Sequence, residues 1–260
     1  MRIKKVIFKN CYGEEITFTR HFPLYVEKID TFGYSGRFNS DKLIDSPGQF
    51  TSSFDVSGKV MPAEFAFWDR YGDSQTLKKI ERVFTPLKTG LLTVFDTDDM
   101  IYRIDAYPTA APAFQRTGRV LRWSVSFAAD YPYWRKGYEM KTYTVHLQHS
   151  STVIVHNSSV VRVPIEIVFP PYDGIRTFIN DTTGERFCIN EYTDSDIIVN
   201  TKDFSIKNSS GDNINHILYN SQVNIDKVDL LPGKNDIRME NSPPCPDTTV
   251  RFWELAAGVI

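Results

Sequence analysis

The run Arg119–Trp134, RVLRWSVSFAADYPYW, constrains the fold more than any other part of the chain. Leu121, Trp123, Val125 and Phe127 fall on one side of a two-residue period, and Arg122, Ser124 and Ser126 on the other. Successive side chains of an extended backbone point to opposite sides of a sheet, so this alternation makes a strand with one buried apolar face. Pro132 ends the ladder, because it has no N–H to donate and holds Tyr131 extended. Tyr131, Pro132, Tyr133 and Trp134 crowd around the chain exit. They are expected to anchor the end of one module where the next begins.

The residues before this run read mostly as short strands. Ile3–Phe8 and Ile16–Thr19 flank a turn at Tyr12–Glu15, and Leu24–Phe32 leads into a loop over Gly33–Asp45. Gln49–Val60 and Glu64–Trp68 follow, then a hairpin of Leu91–Phe95 with Ile101–Tyr107. One segment has helical rhythm: Leu77, Ile80 and Phe84 recur at three- and four-residue spacing, with Lys78, Lys79, Glu81 and Arg82 on the other sides. Asp73 or Ser74 is placed to cap it, Gly72 lets the chain turn in, and Pro86 stops it.

After Trp134 the rhythm changes. Arg135-Lys136-Gly137 is a polar crossing, and beyond Tyr143 no helical period of any length occurs. Strands are expected at Tyr143–Leu147, Thr152–His156, Val163–Phe169, Arg176–Asn180, Arg186–Glu191, Asp196–Asn200, Phe204–Asn208, Asn213–Tyr219, Lys227–Leu230, Asn235–Glu240 and Thr248–Leu255. Turn signals at Asp173-Gly, Thr183-Gly, Gly211-Asp-Asn and Pro232-Gly-Lys-Asn recur at the interval of an antiparallel β-sandwich. Pro164 marks an edge or strand terminus, and Pro243-Pro-Cys-Pro246 is a stiff spacer. The fold expected is mainly β in two domains: residues 1–137, β-rich with one α-helix, and residues 138–260, an antiparallel sandwich. A chain of 260 residues is long enough for both to bury their own cores.

Composition excludes several functions. The formal net charge is −2 with no long basic run, whereas stable duplex binding relies on many phosphate contacts. Cys11, Cys188 and Cys245 lie far apart with no Cys-x-x-Cys spacing, so a zinc knuckle or redox pair is not indicated. One disulfide among them stays open beside three free thiols. The N-terminal apolar run stops at Phe8, short of a signal peptide, and no segment has transmembrane length. Synthesis as a soluble cytoplasmic product, without membrane insertion, is expected.

No constellation points to catalysis. His146 and His149 fall on opposite faces of an extended chain, and no zincin motif contains them. Asp96, Asp98 and Asp99 lack the glycine and distant glutamate of a twelve-residue calcium loop, so they read as a tight acidic turn. There is no nucleophile elbow, phosphate loop or dinucleotide fingerprint. No catalytic, cofactor or metal residue is assigned. Tyr172, Tyr192, Tyr219 and Trp253 could together form a platform for a sugar or protein partner, although large aromatics are usually mostly buried.

The chain resembles the distal tail proteins of long-tailed, non-contractile bacteriophages. The resemblance is carried by Tyr25–Asp30, the helix entry at Gly72–Phe84, the Leu91–Tyr107 hairpin and the Val125–Trp134 junction. In the second half it is carried by Asp196–Asn200, Ile206–Leu218 and Leu230–Ile237, the last similar to a Leu-x-Pro-Gly-x-Asn-x-Ile passage common in the family. It implies a structural virion protein at the tail tip, in a short form without an inserted carbohydrate-binding module. The N-terminal domains would form a homo-hexameric ring, with galectin-like or jelly-roll-like sandwiches projecting from it. Such a ring joins the tail tube protein to the tail-associated hub and receptor-binding proteins, and DNA leaves through its centre. No cofactor is implied. A carbohydrate- or receptor-binding module remains the alternative reading, with a host saccharide as its ligand.

Overall fold

The computed structural model describes residues 3–32, 34–42, 49–68, 74–145, 152–190, 193–219, 228–242 and 247–259. The chain divides into two compact units: residues 1–137 with 257–260, and residues 138–256. The described residues are mainly β, with one α-helix among them. No helix among the described residues is long and apolar enough to cross a membrane.

The first unit holds β1 (Ile3–Asn10), β2 (Glu15–Thr19), β3 (Leu24–Ile29), β4 (Tyr34–Lys42), β5 (Gln49–Trp68), α1 (Ser74–Val83), β6 (Gly90–Asp96), β7 (Ile101–Pro108), β8 (Ala113–Thr117), β9 (Val120–Ala129) and β10 (Trp134–Lys136). The order β7-β6-β1-β2-β3-β5-β9 closes on itself, because Tyr107 and Pro108 of β7 pair with Ala128 and Phe127 of β9. A closed sheet has no edges to protect, and its inward side chains fill it. The strand read most clearly from sequence behaves accordingly. Leu121, Trp123, Val125, Phe127 and Ala129 of β9 are buried, while Arg122 and Ser124 are exposed.

The helix contributes to this interior through its last turn. Ile80, Val83 and Phe84 are buried, and Phe84 N–H donates to the Ile80 carbonyl at 3.0 Å. The Phe84 ring lies 5.6 to 6.0 Å from those of Phe8, Phe18, Phe65 and Phe127. Leu77 is half-buried, so the stripe covers less of the helix than its spacing promised. Gly72 and Asp73, the expected entry and cap, lie outside the described residues.

Several expectations for this unit fail. Gln49–Val60 and Glu64–Trp68, expected as separate strands, form the single strand β5, and Arg135 and Lys136 of the expected polar crossing belong to β10, which pairs with β7. The loop over Gly33–Asp45 contains β4, which pairs with β5 from Tyr34↔Lys59 to Lys42↔Gln49. Polar residues and Gly36 disguise it, and the long partner strand supplies the order. The division into units also differs from the expected boundary at its far end: residues 257–260 group with the first unit, where Val259 exchanges hydrogen bonds with Thr31.

The second unit holds β11 (Lys141–Val145), β12 (Val153–Asn157), β13 (Glu166–Phe169), β14 (Ile175–Asn180), β15 (Glu185–Asn190), β16 (Ile197–Asn200), β17 (Ser205–Asn208), β18 (Leu218–Tyr219), β19 (Gly233–Ser242) and β20 (Thr248–Phe252). They form two antiparallel five-stranded sheets, β11-β20-β13-β16-β17 and β12-β19-β14-β15-β18. Phe169 of the first sheet meets Phe187 of the second edge-on at 6.0 Å, and Phe187 stacks with Phe178 at 5.5 Å. All three rings are buried.

Polar side chains shape the ends of these strands. Asn157 is buried, and its amide donates to the carbonyls of Val161, Leu230 and Leu231, each at 3.2 Å. Asn235 accepts from Leu231 N–H at 2.9 Å and returns a bond to the Leu231 carbonyl at 2.8 Å, closing the Pro232-Gly233 turn. The strand expected at Asn213–Tyr219 is instead a bridge at Asn213, a 3-10 turn over Asn215–Ile217 and the short β18. Asn213 and Asn215 side chains accept from Asn215 and Ile206 N–H at 3.0 and 2.6 Å, offering the backbone an alternative to a ladder. Val163 makes only a bridge to Leu230, and the strand begins at Glu166 once Pro164 is passed.

Candidate functional site

Each unit presents distinct surfaces and clusters. Two of those in the first unit were not visible as sites in the sequence.

The first is a buried knot around Thr31. Trp134 is fully buried, and its Nε1 donates to the Thr31 carbonyl at 3.1 Å. Lys59, also buried, donates from Nζ to the same carbonyl at 2.8 Å and to the Ala257 carbonyl. The ammonium stands 6.0 Å from the Trp134 ring centroid. Burial lowers the Lys59 pKa from 10.5 to about 8, against the pull of the nearby Asp30 carboxylate, which raises it. Of the expected junction anchors, Pro132 and Trp134 are buried. Tyr131 and Tyr133 are half-buried and edge-on to one another at 5.5 Å. Lys59 sits in a run of ordinary strand residues, and no local pattern marks it as an interior cation.

The second is an exposed aromatic group where β3 begins and β5 ends. Phe22 stacks on Tyr25 at 5.6 Å and meets Trp68 edge-on at 5.7 Å. Phe22 is 52% and Trp68 40% exposed. Trp68 N–H donates to the Pro23 carbonyl at 2.9 Å, which holds strand end and turn together. The two rings that flank the proline are far from Trp68 in sequence, so only pairing of β3 with β5 assembles the group.

Of the second-unit residues expected as a platform, the side chains of Tyr172 and Trp253 are described, and these two do not come together. Tyr172 is half-buried, and the Arg176 guanidinium lies 5.7 Å from its ring and 5.6 Å from that of Phe169. Arg176 is itself buried, donating to the Pro170 carbonyl at 2.8 Å and to Thr193 Oγ1 at 3.3 Å. Tyr172 therefore belongs to a cation–aromatic stack that closes the end of β13. Trp253 is half-buried and follows β20, whose register sets Arg251 opposite Glu166 at the start of β13. Tyr172 and Trp253 thus stand beyond opposite ends of the same strand, and the sheet keeps them apart. Tyr219 pairs through its backbone with Cys188. Tyr192 lies outside the described residues.

The acidic turn is a local device. Asp96 Oδ1 accepts from Asp98 and Met100 N–H at 2.8 and 2.9 Å, and Asp99 pairs with Lys4 at 2.7 Å. Among the described residues no group of three or more His, Cys, Asp and Glu could hold a metal ion. Cys11 and Cys188 are free thiols, and His146, His149 and Cys245 lie outside the described residues.

No family model matches this chain, and no curated protein matches it by sequence. Solved structures do. The Dit protein of phage SPP1, described as a paradigm of hub adsorption apparatus in Gram-positive infecting phages, matches with a TM-score of 0.73 at 11% identity. That match covers 96% of this chain and 99% of the phage protein. A chain of the phage P2 baseplate, in its activated conformation with Ca, matches over 100% of both chains, with a TM-score of 0.53 at 10% identity. At such identities the likeness is one of fold. A closed N-terminal barrel followed by two five-stranded sheets, matched nearly end to end, gives this chain the fold of the phage distal tail, or Dit, proteins.

Proposed function

We propose that this chain is a structural component of a phage tail tip, a distal tail protein that assembles as a hexameric ring. The ring joins the tail tube to the host-adsorption apparatus and leaves a central passage for DNA. The match to the SPP1 hub protein over almost the full length of both chains is the observation that carries this reading. The partners would be the tail tube protein on one face and hub and receptor-binding proteins on the other. The role is one of assembly, without substrate turnover.

Three features support it. The formal net charge of −2 suits a conduit, since a strongly cationic passage would hold DNA through its phosphates. Residues 49–56 of β5 have β4 as their strand partner, away from the barrel pairings that begin at Lys59. A two-stranded ribbon is marginally stable alone, so in the ring it would rest on a neighbouring copy. The exposed Phe22–Tyr25–Trp68 group is the type of aromatic anchor that carries binding energy at protein interfaces. We assign it to a contact between copies.

The first unit would build the ring and the second would project as a β-sandwich of galectin-like or jelly-roll-like kind. The rings of Phe169, Phe178 and Phe187 meeting between its sheets favour that architecture. A sugar-binding role for the second unit has less support, because Arg176 is stacked against Tyr172. Light scattering with negative-stain microscopy tests the ring: a mass near six times 29.9 kDa and annular particles are expected. A monomer at tens of micromolar, with no rings alone or with tail partners, would overturn it.

A further inference from the structure

We infer that residues 257–259 are a strap that completes the barrel unit, so that the second unit is an insertion fastened at both of its ends. The chain leaves the first unit after Gly137 and re-enters it at Ala257. Both passages are tied to one residue. On the outgoing side, Trp134 Nε1 donates to the Thr31 carbonyl at 3.1 Å. On the returning side, Thr31 Oγ1 accepts from Val259 N–H at 3.1 Å and donates to the Val259 carbonyl at 3.3 Å. Lys59 bridges the two, with its ammonium on the carbonyls of Thr31 and Ala257.

Burial turns these contacts into a clasp. Thr31, Lys59, Trp134 and Val259 are all fully buried, so releasing the strap would take the Ala257 carbonyl from the Lys59 ammonium and both Val259 partners from the Thr31 hydroxyl. The strap also lies close beneath Phe32. A Cβ at position 258 would stand 2.5 Å from Phe32 Cδ1, and glycine there permits the approach. The length of the insertion is no obstacle, since closure entropy grows only with the logarithm of loop length.

Hydrogen exchange resolved along the full chain tests the strap, using a variant that ends at Ala256 and the volume-conserving Thr31→Val. In the truncated chain, amides of residues 29–32 and 134–137 are expected to exchange at least tenfold faster. Those of β14 and β19 should be unchanged, and the first unit should melt about 4–8 °C lower. If truncation prevents folding, Thr31→Val carries the test, with at least threefold faster exchange confined to residues 29–32 and 257–259. Unchanged protection of residues 29–32 in the folded truncated chain, or in Thr31→Val, would overturn the inference. The mass of the assembly is read separately: a monomer with an intact clasp counts against the ring and not against the strap.

Discussion

Replacing Lys59 with methionine should remove a pH dependence that the wild-type chain carries. Burial holds the ammonium near a pKa of 8, whereas an unfolded lysine titrates near 10.5. Between these values the unfolded chain binds a proton that the native chain has lost, so native stability rises with pH. Below pH 8 both states are charged and the fold bears the full cost of desolvation. The span from about 8 to 10.5 corresponds to about 3 kcal/mol at most, and to about 1 kcal/mol once solvent screening is allowed for. Tyr102 and Tyr107 set the upper limit of a clean measurement. Burial with the Asp96 and Asp98 charges raises the Tyr102 pKa, and the Asp130 carboxylate raises that of Tyr107. A raised phenol keeps its proton in the native state, so both contribute a fall in stability above pH 10. Urea denaturation at pH 7.5, 8.5 and 9.5, followed by circular dichroism, isolates the lysine. Wild type should gain stability across this window, and Lys59→Met should stay flat. A flat wild-type profile, or an equal slope in the variant, would refute the assignment of a buried charged lysine.

Trp68→Ala combined with Phe22→Ser should weaken self-assembly at least tenfold by analytical ultracentrifugation while shifting the melting temperature by less than about 3 °C, because both rings lie at the surface and outside the barrel core. Phe84→Ala should cost about 3–5 kcal/mol by chemical denaturation, since it empties the place where five rings meet. Asn157→Ala should cost about 1–2 kcal/mol and act on the second unit only, since it removes the donor that the Val161, Leu230 and Leu231 carbonyls share. Hydrogen exchange that reports loosening of the barrel in that variant would contradict the division into units.

How legible each feature was depended on the range of the interactions that make it. The β9 alternation, the stripe of α1, the β6–β7 hairpin and the Pro232-Gly233 turn arise between near neighbours, and each was readable. The strand β4 was not, because its pairing with β5 does more for it than its own residues do. Strand propensity misled at Asn213–Tyr219, where two asparagine side chains capture the backbone. Two members of the expected aromatic platform are parted by register: Tyr172 and Trp253 looked equivalent as single residues, yet β13 lies between them. The Phe22–Tyr25–Trp68 group was missed for the converse reason. Its members are unremarkable locally and meet only through the β3–β5 ladder.

What the amino-acid order determined by itself was a β-rich chain, the position of the helix over Ser74–Val83, and the long alternating strand β9. Those properties follow from side-chain periodicity and from backbone restrictions at proline and glycine, which act over a few residues. Tertiary structure alone decided that β7 meets β9 to close a barrel, that Lys59 lies inside, and that Val259 returns to Thr31 across 228 positions. Such contacts are selected by which buried polar groups can satisfy one another once the chain has collapsed. No local pattern encodes that choice.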